Sequence, residues 1–529
     1  MRYVPAFSAP HAQAAQVGME ILREGGNALD AMIAAASAMT VLYPHMNSLV
    51  GDSFWLIHKP GEAPCAIDAC GAAAQLASID WYQQQGHAQI PGRGHLACVT
   101  PGATLSGYQR ARELAQQWSL AEALPLSHLL APAIALARDG IRVTRSLQQA
   151  SAKLLAENAG NAAFRQLFTP RQQVLCEGDY LCNPDLANTL ELLAAKGLHA
   201  IFNGDLATHT ADYLSHAGSP LRLGDLQQTR AQFVTPLSVQ TRVGQCYNLP
   251  APTQGVASLM ILALYDRLYQ SDWSDVERVH ALIECTKQAF LVRDAQVADP
   301  RRLSAQWPQL LTDDYLDARA TQIAAQALPW PHIAQPGDTV WMGCVDQQGV
   351  MVSFIQSIYW EFGAAVVIPA TGLVWNNRGV SFQLDAQARN ALLPGMKPFH
   401  TLNPALALLQ DGRRMVYGTM GGEGQPQTQS ALFTRYLYDG VPLADAIARG
   451  RWLLGRTWGD QQQDLKLEQD LYEQVGDALR ARGHQLRAVP LHSELMGHAG
   501  AVVSRRDGSA DAVSDPRSDG AGVVEHTHE

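Results

Sequence analysis

Apolar residues recur at helical spacing over Ala12–Arg23, and the run stops at Gly25-Gly26, a helix C-terminal signal. Asn27 follows and is placed to cap a second, Ala-rich helix beginning near Ala28; its side-chain oxygen can accept from the first free N–H groups. That helix reads as buried, because apolar residues surround it on all sides. Ser53–His58 reads as a strand before the Pro60-Gly61 turn. Amphipathic spacing predicts helices over 103–117, 125–138, 146–157, 184–196, 204–216 and 276–297. Val243–Pro252 reads as a strand running into a Pro-rich loop.

Near residue 338 the texture changes. Thr339–Asp346, the turn Gln347-Gln348-Gly349 and Val350–Ile358 form a β-hairpin signal. Further strands are predicted at 364–368, 372–376, 404–409 and 413–418, the last two joined by Gln410-Asp411-Gly412. Helices return at 428–438, 442–453 and 470–482, and a strand pair at 500–504 and 510–514 straddles Arg506-Asp507-Gly508. Helices on both sides of a mixed or antiparallel core predict a layered α/β sandwich. No internal repeat or low-complexity linker interrupts it, so one large intertwined domain is expected.

Composition narrows the function classes. With 47% apolar and 17% charged residues over 529, the chain can build a large core. The net charge is −10, and no Lys/Arg run exceeds two residues, which argues against a nucleic-acid or anionic-membrane footprint. The most apolar run, Leu29 to Tyr43, falls short of the roughly 20 residues of a membrane span. The first residues lack the apolar stretch of a signal peptide. None of the eight cysteines makes a C-x-x-C pair, so free thiols in a reducing, cytoplasmic setting are expected. No spacing among the 17 histidines defines a metal site, and neither metal nor cofactor is expected.

Most catalytic signatures are missing: no H-E-x-x-H, Walker loop, G-x-S-x-G or strand-following G-x-G-x-x-G is present. Gly418-Thr419-Met420-Gly421-Gly422-Glu423-Gly424 lies between a predicted strand and a predicted helix. By itself it suits a phosphate cradle, an oxyanion hole or a tight turn. Gln335-Pro336-Gly337-Asp338-Thr339 places a Pro-Gly loop directly before a hairpin that starts at Thr339. An N-terminal nucleophile hydrolase has that layout: it cuts its own chain before a Thr, Ser or Cys, and the freed α-amine activates the side chain of the same residue. An ordinary strand-initiating threonine fits the local pattern equally well.

Motifs spread along the chain add context. In order, they are Gly25-Gly26-Asn27-Ala28-Leu29-Asp30-Ala31, Val99-Thr100-Pro101-Gly102, Ala135-Leu136-Ala137-Arg138-Asp139-Gly140, Leu249-Pro250-Ala251-Pro252-Thr253-Gln254-Gly255 and Ser514-Asp515-Pro516-Arg517-Ser518-Asp519-Gly520. Together they make the chain resemble the γ-glutamyltranspeptidase family of N-terminal nucleophile hydrolases nearly from end to end. The resemblance implies a four-layer αββα sandwich. It also implies cleavage between Asp338 and Thr339 into a large chain, 1–338, and a small chain, 339–529, that stay associated. The nucleophile falls on Thr339, and Ser357 takes the place of a threonine whose hydroxyl orients it. Asn376-Asn377 matches a pair lining the site, and Gly421-Gly422 matches the oxyanion-hole glycines. Removing one such N–H donor typically costs about 3–4 kcal/mol.

Substrate recognition departs from the family pattern. The family arginine that meets the glutamyl carboxylate falls on Cys70, and the aspartate that pairs with the substrate amino group falls on Ser381. Tyr359 replaces an asparagine, His400-Thr401 a serine pair, and Arg378 a glutamine. The pocket is thus expected to have lost an anion and kept a cation, Arg378, on a different wall. A buried ammonium without its carboxylate partner would lose roughly 2–5 kcal/mol, whereas a carboxylate could pair with Arg378. The expected substrate is therefore a small anionic amide without an α-amino group, contacted by Arg378, Tyr359, Asn377, Ser381, His400 and Thr401. Oxamate meets that description, giving oxalate and ammonia. A γ-glutamyl hydrolase or transferase with a rebuilt pocket, and an unprocessed non-catalytic homologue, remain as alternatives.

Overall fold

The computed structural model describes residues 2–120, 123–330, 337–455 and 464–525. Trp341 shows how its two main sheets meet. It lies on the strand Asp338–Val345 and donates from its indole nitrogen to Ser353 Oγ at 3.0 Å. Its ring rests against Gly418 and Gly500 of the other sheet, where an added Cβ would fall 2.2 and 2.4 Å from ring atoms. Those glycines give the large ring its space. Phe54, Leu56, Ile355, Leu406, Val416 and Val502 complete the apolar layer between the sheets.

Both sheets are antiparallel. The first has seven strands in the order Ala521–Val524, Ala6–Ala9, Asp338–Val345, Met351–Tyr359, Asp52–His58, Cys65–Ala69 and Gln232–Val234. The second has six: Ala510–Ser514, Ala499–Ser504, Arg414–Thr419, Ala405–Leu409, Gly244–Asn248 and Leu237–Thr241. Val340, Met342 and Cys344 point away from the second sheet into the helical layer containing Ala28–Leu42. A strand covered on both faces reads as a continuous apolar run, as this one does. The helices Gly255–Leu268, Asp275–Gln296 and Gln425–Leu437 cover the outer face of the six-stranded sheet. This is the four-layer αββα arrangement of N-terminal nucleophile hydrolases, in one domain.

Contacts across residue 338 recur throughout. Asn27 Oδ1 accepts from Leu29 N and Asp30 N, both at 3.0 Å, while Ala28 N donates to Asp346 Oδ2 at 2.9 Å. The hairpin turn thereby helps to cap an N-terminal helix. The Ser514–Gly520 motif is a structural junction. Asp515 pairs with Arg451 at 2.7 Å and Arg517 at 3.0 Å, and Arg517 also pairs with Glu468, all of them buried.

Several elements differ from the sequence reading. The expected helix 442–453 ends at Ala448, and Trp452–Leu454 is instead a strand paired with Leu465–Glu468. Gly450 divides them and lies against Asp470, where a Cβ would fall 1.9 Å from the carboxylate. The helix Gly255–Leu268 gave no amphipathic signal, because Gly255 to Tyr265 are all buried. The strands expected over 364–368 and 372–376 shrink to Val367–Ile368 and Leu373–Val374. No described helix is long and apolar enough to cross a membrane.

Candidate active site

Thr339 is fully buried as the second residue of its strand. Its Oγ1 donates to the carbonyl oxygen of Asp338 at 2.5 Å, and its own N–H donates to Asp338 Oδ1 at 2.7 Å. Ser357 Oγ donates to the same Asp338 carbonyl at 2.5 Å, rather than to the Thr339 hydroxyl. Tyr359 N fixes Ser357 by donating to its Oγ at 2.8 Å, and Gln425 Nε2 donates to Thr339 Oγ1 at 3.3 Å. One peptide carbonyl oxygen thus receives two hydroxyls. Burial, reinforced by Glu361, raises the Asp338 carboxyl well above its usual range. Gln335 and Pro336, part of the expected loop, lie outside the described residues.

Gly421 and Gly422 form a turn at the end of the strand Arg414–Thr419, with φ of +120° and +52°. A Cβ on Gly422 would lie 2.9 Å from the carbonyl oxygen of Gly337, so the turn abuts the segment entering the Asp338–Thr339 bond. Gln254 ties this turn to Thr401: its Nε2 donates to Gly422 O at 3.0 Å and to Thr401 O at 2.7 Å. Its Oε1 accepts from Arg293, whose other nitrogen pairs with Glu423 at 2.6 Å.

Behind Tyr359 lies a buried polar cluster. The Arg378 guanidinium carbon sits 4.1 Å from the centre of the Tyr359 ring. Asp52 Oδ2 is 4.0 Å from Arg378 Nε and 3.6 Å from His400 Nε2. All three guanidinium nitrogens, both His400 ring nitrogens, Thr401 Oγ1 and Asp52 Oδ2 are buried without a hydrogen-bond partner. Such groups ordinarily find one, which leaves this cluster with unmet hydrogen-bonding capacity. Asn376 accepts from Arg378 N at 3.0 Å and is itself held by Val50 O and Thr100. His400 is placed by backbone bonds to Pro252 and Gln254 of the Pro-Thr-Gln motif. Burial, with Arg378 and Lys397 nearby, keeps His400 well below its ordinary pKa, and thus neutral. Burial pushes Asp52 up to about 7 against the opposing pull of Arg378.

The other expected site residues occupy different surroundings. Tyr359 and Ser381 line a cleft of about 640 Å³ together with Trp360, Phe399, Arg293 and Glu423. Ser381 Oγ donates to Arg378 O at 3.1 Å. Asn377 accepts from Trp360 N and donates to Gly92 O, so it shapes the loop. Cys70 lies beside Asp52, with Gly71 N donating to Asp52 Oδ1 at 2.9 Å.

Sequence reasoning missed Asp52, Gln254 and Gln425. Asp52 brings a carboxylate to within 4.0 Å of Arg378 and 3.6 Å of His400, away from Ser381. A lone acid at the head of the apolar stretch Asp52–His58 was its signal. Histidine spacing also missed a buried grouping of His280, Glu284 and His484. There Lys287 Nζ already pairs with Glu284 Oε1 at 2.7 Å, and His280 bonds His484 at 2.9 Å. An ammonium in that position meets the charge a metal ion would supply.

Comparison with known proteins identifies the family and the fold. The family model "Gamma-glutamyltranspeptidase" matches residues 14–524. Oxamate amidohydrolase proenzyme of Klebsiella pneumoniae is 49% identical, with 97% of each chain covered. Glutathione hydrolase-like YwrD proenzyme of Bacillus subtilis is 35% identical, again over 97% of each. Cephalosporin acylase from Bacillus halodurans superposes with a TM-score of 0.89 at 28% identity, over 100% of this chain and 97% of that one. The chain belongs to the γ-glutamyltranspeptidase family and is an amidohydrolase.

Proposed function

We propose that the chain cuts itself between Asp338 and Thr339 and then hydrolyses oxamate to oxalate and ammonia through a threonyl ester. The observation that carries the substrate reading is Arg378, a fully buried guanidinium whose three nitrogens have no hydrogen-bond partner. A carboxylate is the ligand that suits such a planar fork. The 49% identity to a protein named oxamate amidohydrolase proenzyme supports the same substrate.

Self-cleavage begins with Thr339 Oγ1 bonding to the Asp338 carbonyl carbon while Ser357 donates to the developing oxyanion. The carbon–nitrogen bond breaks, the Thr339 nitrogen takes the hydroxyl proton, and water opens the ester. The products are an Asp338 carboxylate and a free Thr339 α-amine. In turnover that amine takes the hydroxyl proton as Oγ1 attacks the substrate amide. The Gly421 and Gly422 N–H groups meet the oxyanion. Ammonia leaves with the returned proton, and water hydrolyses the oxalyl ester.

Asp52 favours a second reading, a γ-glutamyl amide whose ammonium would face an ionised Asp52. Ammonia release from oxamate, set against cleavage of a γ-glutamyl anilide by the processed protein, separates the two. Preference for oxamate supports the proposal, and preference for the anilide overturns it.

A further inference from the structure

Asp52 and Arg378 are buried as neighbours of opposite charge but make no hydrogen bond to each other. Their closest approach, 4.0 Å, exceeds hydrogen-bond distance, as does the 3.6 Å to His400. Gly71 N holds Asp52 through its other oxygen, at 2.9 Å. Asp52 also stands directly opposite Ser357 across the paired strands, which places both side chains on one face of the sheet. The acid is anchored across the strands from Ser357, which itself bonds the Asp338 carbonyl, and one of its oxygens is turned toward the guanidinium and the imidazole.

We propose that Asp52 is the resident counter-ion of Arg378, and that it takes up one proton when a carboxylate ligand enters. The inference rests on the anionic-amide reading above. A ligand carboxylate at Arg378 would crowd a second negative charge around one guanidinium, and two carboxylates sharing a site cannot both stay ionised cheaply. A proton from solvent on Asp52 removes the repulsion. The acid O–H then donates to the ligand carboxylate, the short charge-assisted kind of hydrogen bond.

The groups facing Asp52 are few. Ser357 comes from the neighbouring strand, which ends at Tyr359, and Arg378 from the segment beyond it, stacked on the Tyr359 ring. His400 and Lys397 come from another segment, and Asp68 and Cys70 from the adjoining strand and turn. Lys397 is paired with Asp68 at 2.7 Å. Asp52, lifted to about 7 by burial, is poised to change charge near neutral pH.

Oxalate, the proposed product, serves as a probe that is not turned over. Calorimetric titration of processed wild type, in two buffers of different ionisation enthalpy, should show nearly one proton taken up at pH 8 and little at pH 6. Above pH 7 the oxalate Kd should weaken about tenfold per pH unit, as a one-proton linkage requires. Asp52→Asn should abolish both effects. Difference infrared spectra of wild type with ¹³C-oxalate should show an unlabelled carboxylic-acid carbonyl band appearing at pH 8, a readout that needs no variant. Uptake that persists in Asp52→Asn, or absence of that band, overturns the proposal. If oxalate fails to bind, or binds Arg378→Ala as tightly as wild type, the anionic-amide reading falls instead.

Discussion

Thr339 Oγ1 and Ser357 Oγ both reach the carbonyl oxygen of Asp338, each at 2.5 Å. Thr339→Ala should therefore remain one 529-residue chain, because no nucleophile remains. Ser357→Ala should still be cut, about 10²–10³-fold more slowly, the usual cost of losing one oxyanion donor. A time course on denaturing gels, with sequencing of the new N-terminus, checks both. Cleavage of Thr339→Ala at the same bond would remove Thr339 from its role.

Gly422→Ala should block processing, because the position needs a positive φ and the added Cβ would fall 2.9 Å from the Gly337 carbonyl. The same gel assay checks it, and wild-type processing of Gly422→Ala would contradict the close approach.

Arg378→Ala should raise KM for oxamate and lower kcat/KM by about 2–5 kcal/mol, since the substrate carboxylate would be buried without its partner. Arg378→Lys should recover only part, because an ammonium lacks the planar fork. Processing should survive in both variants, as the guanidinium makes no hydrogen bond at the Asp338–Thr339 bond. Wild-type kcat/KM in a processed Arg378→Ala enzyme would place the carboxylate elsewhere.

Thr339, the proposed nucleophile, is more legible in the sequence than the buried cluster around Arg378. Thr339 begins a hairpin whose two apolar runs and Gly349 turn are local signals, and Gly421-Gly422 interrupts a strand-to-helix junction. Asp52 lies more than 300 residues from Arg378 and His400, which come from separate segments. They meet because Ser357 pairs with Asp52 across the sheet, and because the Pro252–Gln254 loop holds the His400 backbone. Such convergence belongs to strand register and has no local pattern. Gly255–Leu268 escaped for the opposite reason: a helix buried almost all round carries no polar stripe.

Arg517→Ala should destabilise the protein by about 3–5 kcal/mol, because it leaves Glu468 and Asp515 buried with reduced pairing. Burial alone would raise the Asp515 carboxyl, but Arg451 and Arg517 outweigh it and hold the group below its ordinary value. Its stabilisation is therefore present above its unfolded pKa, about 3.9, and is lost as pH falls through the lower folded value. Thermal melts between pH 7 and pH 3 should show wild type losing this increment in acid and Arg517→Ala losing less. Parallel curves would separate the network from acid stability.

The two cleavage products, residues 1–338 and 339–529, should stay together without a covalent link. The strand Asp338–Val345 is sandwiched between Ala6–Ala9 and Met351–Tyr359, and the latter pairs in turn with Asp52–His58. In the second sheet Ala405–Leu409 pairs with Gly244–Asn248. Parting the products would expose those sheet edges and the apolar layer between the sheets, with unpaired backbone groups along each strand. All eight cysteines are free, so no disulfide shares the task. On a native sizing column the processed protein should elute as one species containing both fragments, with or without reductant, and should separate only in denaturant. Elution of a lone fragment under native conditions would show that the interleaved strands do not hold the halves.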